Sequence, residues 1–336
     1  MTPAARKSLL KNIQLLIADA DDWLGEALRF NLEQMGFGTV RRVRSGQDAY
    51  TALARKPYDF VITEWNLPEM DGLSLVRKLR SSKEEIIRPA LPVIMLSGRS
   101  EKQDVLTARD AGINEYIVKP FSSQAVFQRL ERLVDQPRPF IISPQFSGPD
   151  RRRKAAHSGP DKRQRSPHLI HPSEAARALK AGVACMLPPD YSVSKALNNT
   201  PLSQIITPEI LREAQETLDQ MAGQGAEWVL LDLAMLQEAH RWLQNKPEPA
   251  PLARMADTAL SIKGRAGLAG FPLAGDVARL LYLFINSHYR PGNATHLQIL
   301  GKHIDVMKVI FAAAMPMNDK AGSEIIGELQ RLALSA

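Results

Sequence analysis

Apolar residues in the first 135 positions alternate between two periods. Continuous apolar runs of strand length occur at IQLLIA (13–18), GTVRRV (38–43), DFVIT (59–63), LPVIML (91–96) and EYIV (115–118). Between them lie segments with apolar residues three and four apart, the spacing of one helical face. Residues 22–35 place Leu24, Leu28, Leu32 and Met35 on such a face, and residues 48–55, 73–80, VLTARDAG closed by Gly112, and 122–134 read as the other helices. Five unbroken apolar strands separated by helices predict a parallel sheet covered on both faces. In such folds reactive groups gather at the carboxyl ends of the strands.

Beyond Pro137 the pattern dissolves. FSGPDRRRKAAHSGPDKRQRSP holds two similar units, GPDRRRK and GPDKRQR, proline recurs, and only residues 172–184 suggest a short helix. Residues 137–206 therefore read as a basic, proline-rich linker between a first domain at 1–136 and a third region at 207–336. That last region is helical in period. Thr207 and Pro208 form a helix start, residues 226–244 carry Val229, Leu230, Leu233, Leu236 and Leu243, and further helices are expected at 251–265, 273–288, 294–314 and 320–333. The sum is an all-α helical bundle.

Composition narrows the classes. The 336 residues, 44% hydrophobic, suffice for about two cored domains. No apolar run is long enough to span a bilayer, and the basic, apolar N-terminal stretch runs straight into acids without a small-residue cleavage site, so it reads as a first strand rather than a signal peptide. A single cysteine, Cys185, precludes an internal disulfide and suits a reducing cytoplasm. The net charge of +7 is local: residues 137–180 carry 10 Lys and Arg against 3 Asp and Glu, whereas 1–136 carry 20 against 18. The clusters RRRK (151–154) and KRQR (162–165) lack interleaved aromatics, so a solvated linker is favoured over a nucleic-acid contact.

The candidate chemistry lies at the strand ends. Strand one ends at Asp19, followed by Ala20, Asp21 and Asp22; strand three ends at Glu64; strand four ends at Ser97; strand five carries Tyr116 and is followed by Lys119 and Pro120. A carboxylate, a hydroxyl and an ammonium on one rim suit a phosphorylated carboxylate, with the acids placed for Mg²⁺. LLIADAD, ITEWNLPEMDG, VIMLSG and YIVKPF, in this order, make residues 12–135 resemble the receiver domain of bacterial response regulators, a flavodoxin-like α/β fold. The resemblance implies that Ser97 and Tyr116 are the switch pair, Lys119 the phosphate-binding lysine and Asp19 one of the paired metal-binding acids. Two positions depart from the family at the chemistry: the second paired acid is Ala20, and the phospho-accepting aspartate is Glu64. The expectation is a weakened or absent Mg²⁺ site at Asp19, no other cofactor, and loss of ordinary phosphotransfer. Asp21 reads as an acid favoured by the helix dipole rather than a replacement ligand. Glu64 either contacts Lys119 as a permanent, partial imitation of the phosphorylated state or is inert.

Residues 258–272, TALSIKGRAGLAGFP, concentrate small residues on a helix, for which tight helix packing is the plain explanation. The stretch also resembles the histidine phosphotransfer motif over a region of roughly 207–333, with Lys263, Gly264, Gly267 and Gly270 matching and Leu260 standing where the family has its phosphorylated histidine. His240, His288, His296 and His303 do not precede a Lys-Gly pair. Together these readings imply a non-enzymatic two-component or phosphorelay protein, bacterial and cytoplasmic. It would act by binding a sensor histidine kinase, a phosphotransfer protein or another response regulator. The alternatives are an active, phosphorylatable response regulator and a nucleic-acid-binding regulator using the linker.

Overall fold

The computed structural model describes residues 8–82, 84, 86–151, 168–245, 249–313 and 320–334. The chain divides into two compact units, Met1–Ile117 with Ser122–Gln215, and Val118–Phe121 with Glu216–Ala336.

In the first unit, β1 (Gln14–Ala18), β2 (Thr39–Val43), β3 (Phe60–Thr63), β4 (Val93–Ser97) and β5 (Glu115–Val118) form one sheet in the order β2-β1-β3-β4-β5. Pairing is parallel between β1 and β2, β1 and β3, and β3 and β4. The helices α1 (Asp22–Gln34), α2 (Gly46–Arg55), α3 (Gly72–Arg80), α4 (Lys102–Ala111) and α5 (Ser123–Asp135) alternate with the strands. Every residue of β3 and β4 is buried, which is why these strands are continuous in apolar character rather than alternating. Side-chain oxygens of Asp21, Ser45, Asp71 and Ser122 cap the N-termini of α1, α2, α3 and α5, each accepting a main-chain amide of the first turn. The five-stranded α/β sheet matches the expectation, and strand boundaries shift by no more than two residues.

Buried polar groups pin this unit. Arg80 donates to the carbonyls of Gly112 (2.8 Å), Pro89 and Leu91 (both 2.7 Å) and to Asn114 Oδ1 (3.0 Å). Asn31, fully buried, donates to Ser123 Oγ at 2.6 Å and to the Ala214 carbonyl at 3.2 Å.

The segment expected to be linker is folded on both sides of residues 152–167. A second sheet, ordered β7-β6-β9-β8, is built from β6 (Phe140–Ile142), β7 (Ser147–Pro149), β8 (His168–Leu169) and β9 (Cys185–Leu187), with α6 (Ala175–Ala181) beside it. Phe140, Ile142, Ala175, Cys185 and Leu187 make its own small core. Two short helices, α7 (Ser192–Ala196) and α8 (Leu202–Ile205), follow, and Asp135 accepts the Leu202 amide. Strands of two or three residues carry no readable period, and β6 meets β9 across more than forty residues of chain, so only tertiary pairing reveals them. Of the basic clusters, Arg151 is described: it pairs with Asp110 at 2.9 Å and lies over the Phe146 ring. Arg152 to Lys154 and Lys162 to Arg165 lie outside the described residues.

The second unit is helical. A single helix, α9 (Pro208–Asn245), replaces the two separate helices expected on either side of Gly223; its first two turns belong to the first unit. Glycine inside a helix costs about 1 kcal/mol relative to alanine, and burial of Leu218 before it and Val229 after it outweighs that cost. The others are α10 (Pro249–Ala266), α11 (Pro272–Ser287), α12 (Ala294–Ala313) and α13 (Lys320–Leu334). Arg265 on α10 bonds Asp232 on α9 at 2.7 Å, and His240 Nε2 on α9 meets the Leu297 carbonyl on α12 at 2.9 Å. Among the described residues no helix is long and apolar enough to cross a membrane.

Candidate functional site

The chain enters the sheet at β1, runs to β2 on one side and returns to β3 on the other. The crevice at this reversal lies beyond the carboxyl ends of β1 and β3, the location where open α/β sheets place their ligands. Asp19 and Glu64 stand there. Asp19 is buried; its amide continues the sheet to the Val43 carbonyl, and its Oδ1 accepts the Asp21 amide at 2.9 Å. Ala20 is exposed and brings no side-chain oxygen. Asp21 Oδ1 accepts the Leu24 amide at 3.0 Å, so this acid caps α1. Asp22 faces outward to Arg42 (2.9 Å) and Arg44 (2.8 Å), and the Arg42 hydrogen bond, with the charges of both arginines, holds its carboxyl below the usual range.

Glu64 is half-buried. Its amide donates to the Ala18 carbonyl at 2.8 Å, fixing the β3 end against β1, and its Oε1 accepts the amide of Trp65 at 2.6 Å. The loop then turns so tightly that a Cβ at Gly72 would stand 2.1 Å from the Glu64 carbonyl oxygen. Only glycine permits this approach.

Ser97 is buried at the end of β4. Tyr116 turns inward from β5: its hydroxyl donates to the Arg99 carbonyl at 2.9 Å, and the Ser97 side chain is near enough to bear on the phenol. Burial raises the Tyr116 phenol above its ordinary value, and the negative charge of Glu64 adds to the effect. Glu64, Ser97 and Tyr116 therefore belong to one electrostatic neighbourhood. Lys119 directly follows β5 and its side chain is buried.

Sequence reasoning missed Arg99, Trp65 and Arg42. The Arg99 guanidinium lies 5.0 Å over the Trp65 ring and reaches Asn66 Oδ1 at 3.4 Å, tying the loop after β4 to the loop after β3. Arg42 donates to the Asp19 carbonyl at 2.9 Å. The RRVR run was a visible signal for Arg42; nothing local marked the other two.

Mg²⁺ needs several oxygens in near-octahedral arrangement; here one oxygen each of Asp19, Asp21 and Glu64 accepts a main-chain amide, and Ala20 offers none. Among the described residues no group of three or more His, Cys, Asp or Glu side chains is arranged to hold a metal.

In the second unit, Leu260 and Lys263 are buried on α10, which ends at Ala266. Gly264 is buried on the same helix. Gly267 follows the helix end, and Gly270 has φ +87°, the left-handed conformation that turns the chain into α11. A Cβ at Gly275 of α11 would stand 3.5 Å from the Lys263 carbonyl, ordinary van der Waals contact, so α11 lies against the Lys263 turn of α10. His240 bonds α12. His296 Nδ1 accepts the Arg290 amide at 2.8 Å, His303 is fully buried with Nδ1 2.8 Å from the Ile299 carbonyl, and His288 stacks on Phe284. Each of these imidazoles serves the bundle.

Comparison with known proteins agrees with the first unit's architecture. Residues 15–131 match the response regulator receiver domain family. Chemotaxis protein CheY-3 of Vibrio cholerae serotype O1 is 30% identical over 128 residues, which is 38% of this chain and 96% of that protein. Chemotaxis protein CheY1 of Helicobacter pylori is 36% identical over 120 residues, 35% of this chain and 94% of that protein. A crystal structure of a putative response regulator from Chloroflexus aurantiacus is 31% identical, with 36% of this chain and 97% of that one covered at a TM-score of 0.34. Through residues 15–131, with the sheet order, the strand-end acid and the Ser97–Tyr116 pair that lie within them, the chain belongs to the receiver-domain family of two-component signal transduction.

Proposed function

We propose that this chain is a degenerate response regulator that signals by binding proteins rather than by accepting a phosphoryl group. The observation that carries the reading is the carboxylate set: Ala20 contributes no ligand, Glu64 stands where the family has aspartate, and an oxygen of Glu64 is held by the Trp65 amide. Mg²⁺ binding is weak for the same reason, and the glutamate carboxylate, displaced by about one bond, is poorly placed for in-line transfer. The helical unit is a phosphotransfer-like bundle in which Leu260 lacks the nucleophile that such chemistry needs. Both units then work as docking modules, with a sensor histidine kinase, a phosphotransfer protein or another response regulator as the partner class, in the bacterial cytoplasm. The protein has no catalytic activity of its own.

The test is incubation with acetyl phosphate and Mg²⁺ followed by intact-mass measurement. The chain stays unmodified, while Ala20→Asp combined with Glu64→Asp gains one phosphoryl group, because the Ser97 hydroxyl and Lys119 ammonium are still present. A stoichiometric gain by the unaltered chain that disappears in Glu64→Gln overturns the reading in favour of an active response regulator.

A further inference from the structure

Helix α9 has one face more than a bundle helix needs. Val229, Leu233, Leu236 and Leu243 are buried, and the bonds from Asp232 to α10 and from His240 to α12 fix which side faces the bundle. Beside that face run Trp228, Leu231, Met235 and Trp242, which are 39%, 55%, 48% and 55% exposed. At 3.6 residues per turn the four fall within about 60° of arc. A continuous exposed stripe with two tryptophans marks an interaction surface rather than scattered surface apolar residues. It borders a groove of about 260 Å³ lined by Met235, Ala239 and Trp242 of α9 and Pro251, Arg254 and Thr258 of α10.

We infer that a second copy of this chain covers the stripe, with its α9 antiparallel to the first and Met235 on the two-fold axis. The stripe is complementary to itself about that residue. Trp228 and Trp242 stand seven positions to either side of Met235, and Leu231 and Ala239 stand four to either side. In an antiparallel two-fold pair, residues equidistant from the axis lie at the same level. Leu231 of each copy then packs over Ala239 of the other, large against small. Trp228 of each copy meets Trp242 of the other at the groove, where Arg254 offers its guanidinium to the ring. The seven-residue spacing is that of a helix-pair seam.

Charge agrees with the same arrangement. Glu227 and Arg241, on the side of the stripe away from α10, are exposed and carry no ion pair among the described residues. The antiparallel pairing brings Glu227 of each copy within about two residues, roughly 3 Å of axial rise, of Arg241 of the other. A parallel pairing sets each charge against its like. An unrelated amphipathic helix would need neither the symmetric spacing nor these paired charges, so the second copy is the occupant chosen.

The test uses the full chain. Sedimentation equilibrium gives a dimer at micromolar concentration, and Trp228→Ala weakens it about tenfold or more, as an aromatic anchor in a pocket should. Glu227→Arg weakens it and the swap Glu227→Arg with Arg241→Glu recovers it, which separates pairing from loss of fold. Met235→Cys, self-facing on the axis, forms an intermolecular disulfide under mild oxidation. Leu230→Cys, exposed on another side of α9, does not; the native Cys185 is buried and silent. A chain that stays monomeric at about a hundred micromolar, or equal cross-linking at positions 230 and 235, overturns the proposal and leaves the stripe to another protein.

Discussion

The Oε1 of Glu64 accepts the main-chain amide of Trp65 at 2.6 Å, so the strand-end carboxylate folds back on the loop it introduces. Gln can make the same bond without the charge, and Ala cannot. Glu64→Gln should leave stability within about 0.5 kcal/mol of the parent, and Glu64→Ala should lose about 1 kcal/mol, the net worth of a partly solvated hydrogen bond. Denaturant unfolding of the three proteins measures this; equal losses in both variants would mean that the Trp65 bond contributes nothing.

Arg80 is the most demanding buried group. It is desolvated, which pushes its pKa down to about 9 and leaves it charged at neutral pH, and four acceptors on the loops around β4 and β5 depend on it. Arg80→Met preserves apolar bulk but leaves three carbonyls and the Asn114 side chain short of a donor. The expected loss is about 3 kcal/mol or more, with Arg80→Lys intermediate because an ammonium lacks the planar fork. A thermal midpoint for Arg80→Met within a degree of the parent would contradict this role.

His303 should make the helical unit sensitive to acid. Burial lowers its pKa below 6.5, while the bond to the Ile299 carbonyl acts in the other direction; its Nε2 has no hydrogen-bond partner among the described residues. The unfolded chain therefore binds the proton that the folded chain refuses, and stability falls as pH drops through the unfolded value near 6.5. The helical transition, followed by circular dichroism, should lie lower at pH 5.5 than at pH 7.5. His303→Met should remove part of that difference; an unchanged pH dependence in the variant assigns it to other groups.

The alternation of buried strand and one-faced helix in the first 135 residues is a local property. β3 and β4 are buried on both faces, so their apolar runs announce the sheet before any contact is known, and the acids, hydroxyl and lysine at their ends follow from the chain direction. The helix periods from Thr207 onward are legible for the same reason. The small sheet is not, because Phe140–Ile142 is held by Cys185–Leu187 and neither triplet has a preference strong enough to declare itself. The continuity of α9 through Gly223 is not legible either: glycine reads as a break, and burial on either side decides otherwise.

At the site the division is the same. That position 64 is glutamate and position 20 alanine is written in the chain, and with it the loss of two expected groups. That Asp21 caps α1 and that Glu64 turns to Trp65 are local matters of the loops that carry them, whereas the bridge from Arg99 to Trp65 and Asn66 was decided by tertiary structure. Residue type sets which charges and donors exist. Their directions depend on which main-chain amides and rings lie within hydrogen-bonding distance: Asp21 and Glu64 find theirs one to three residues along the chain, whereas Arg99 finds Trp65 and Asn66 only because folding brings the loops after β3 and β4 together.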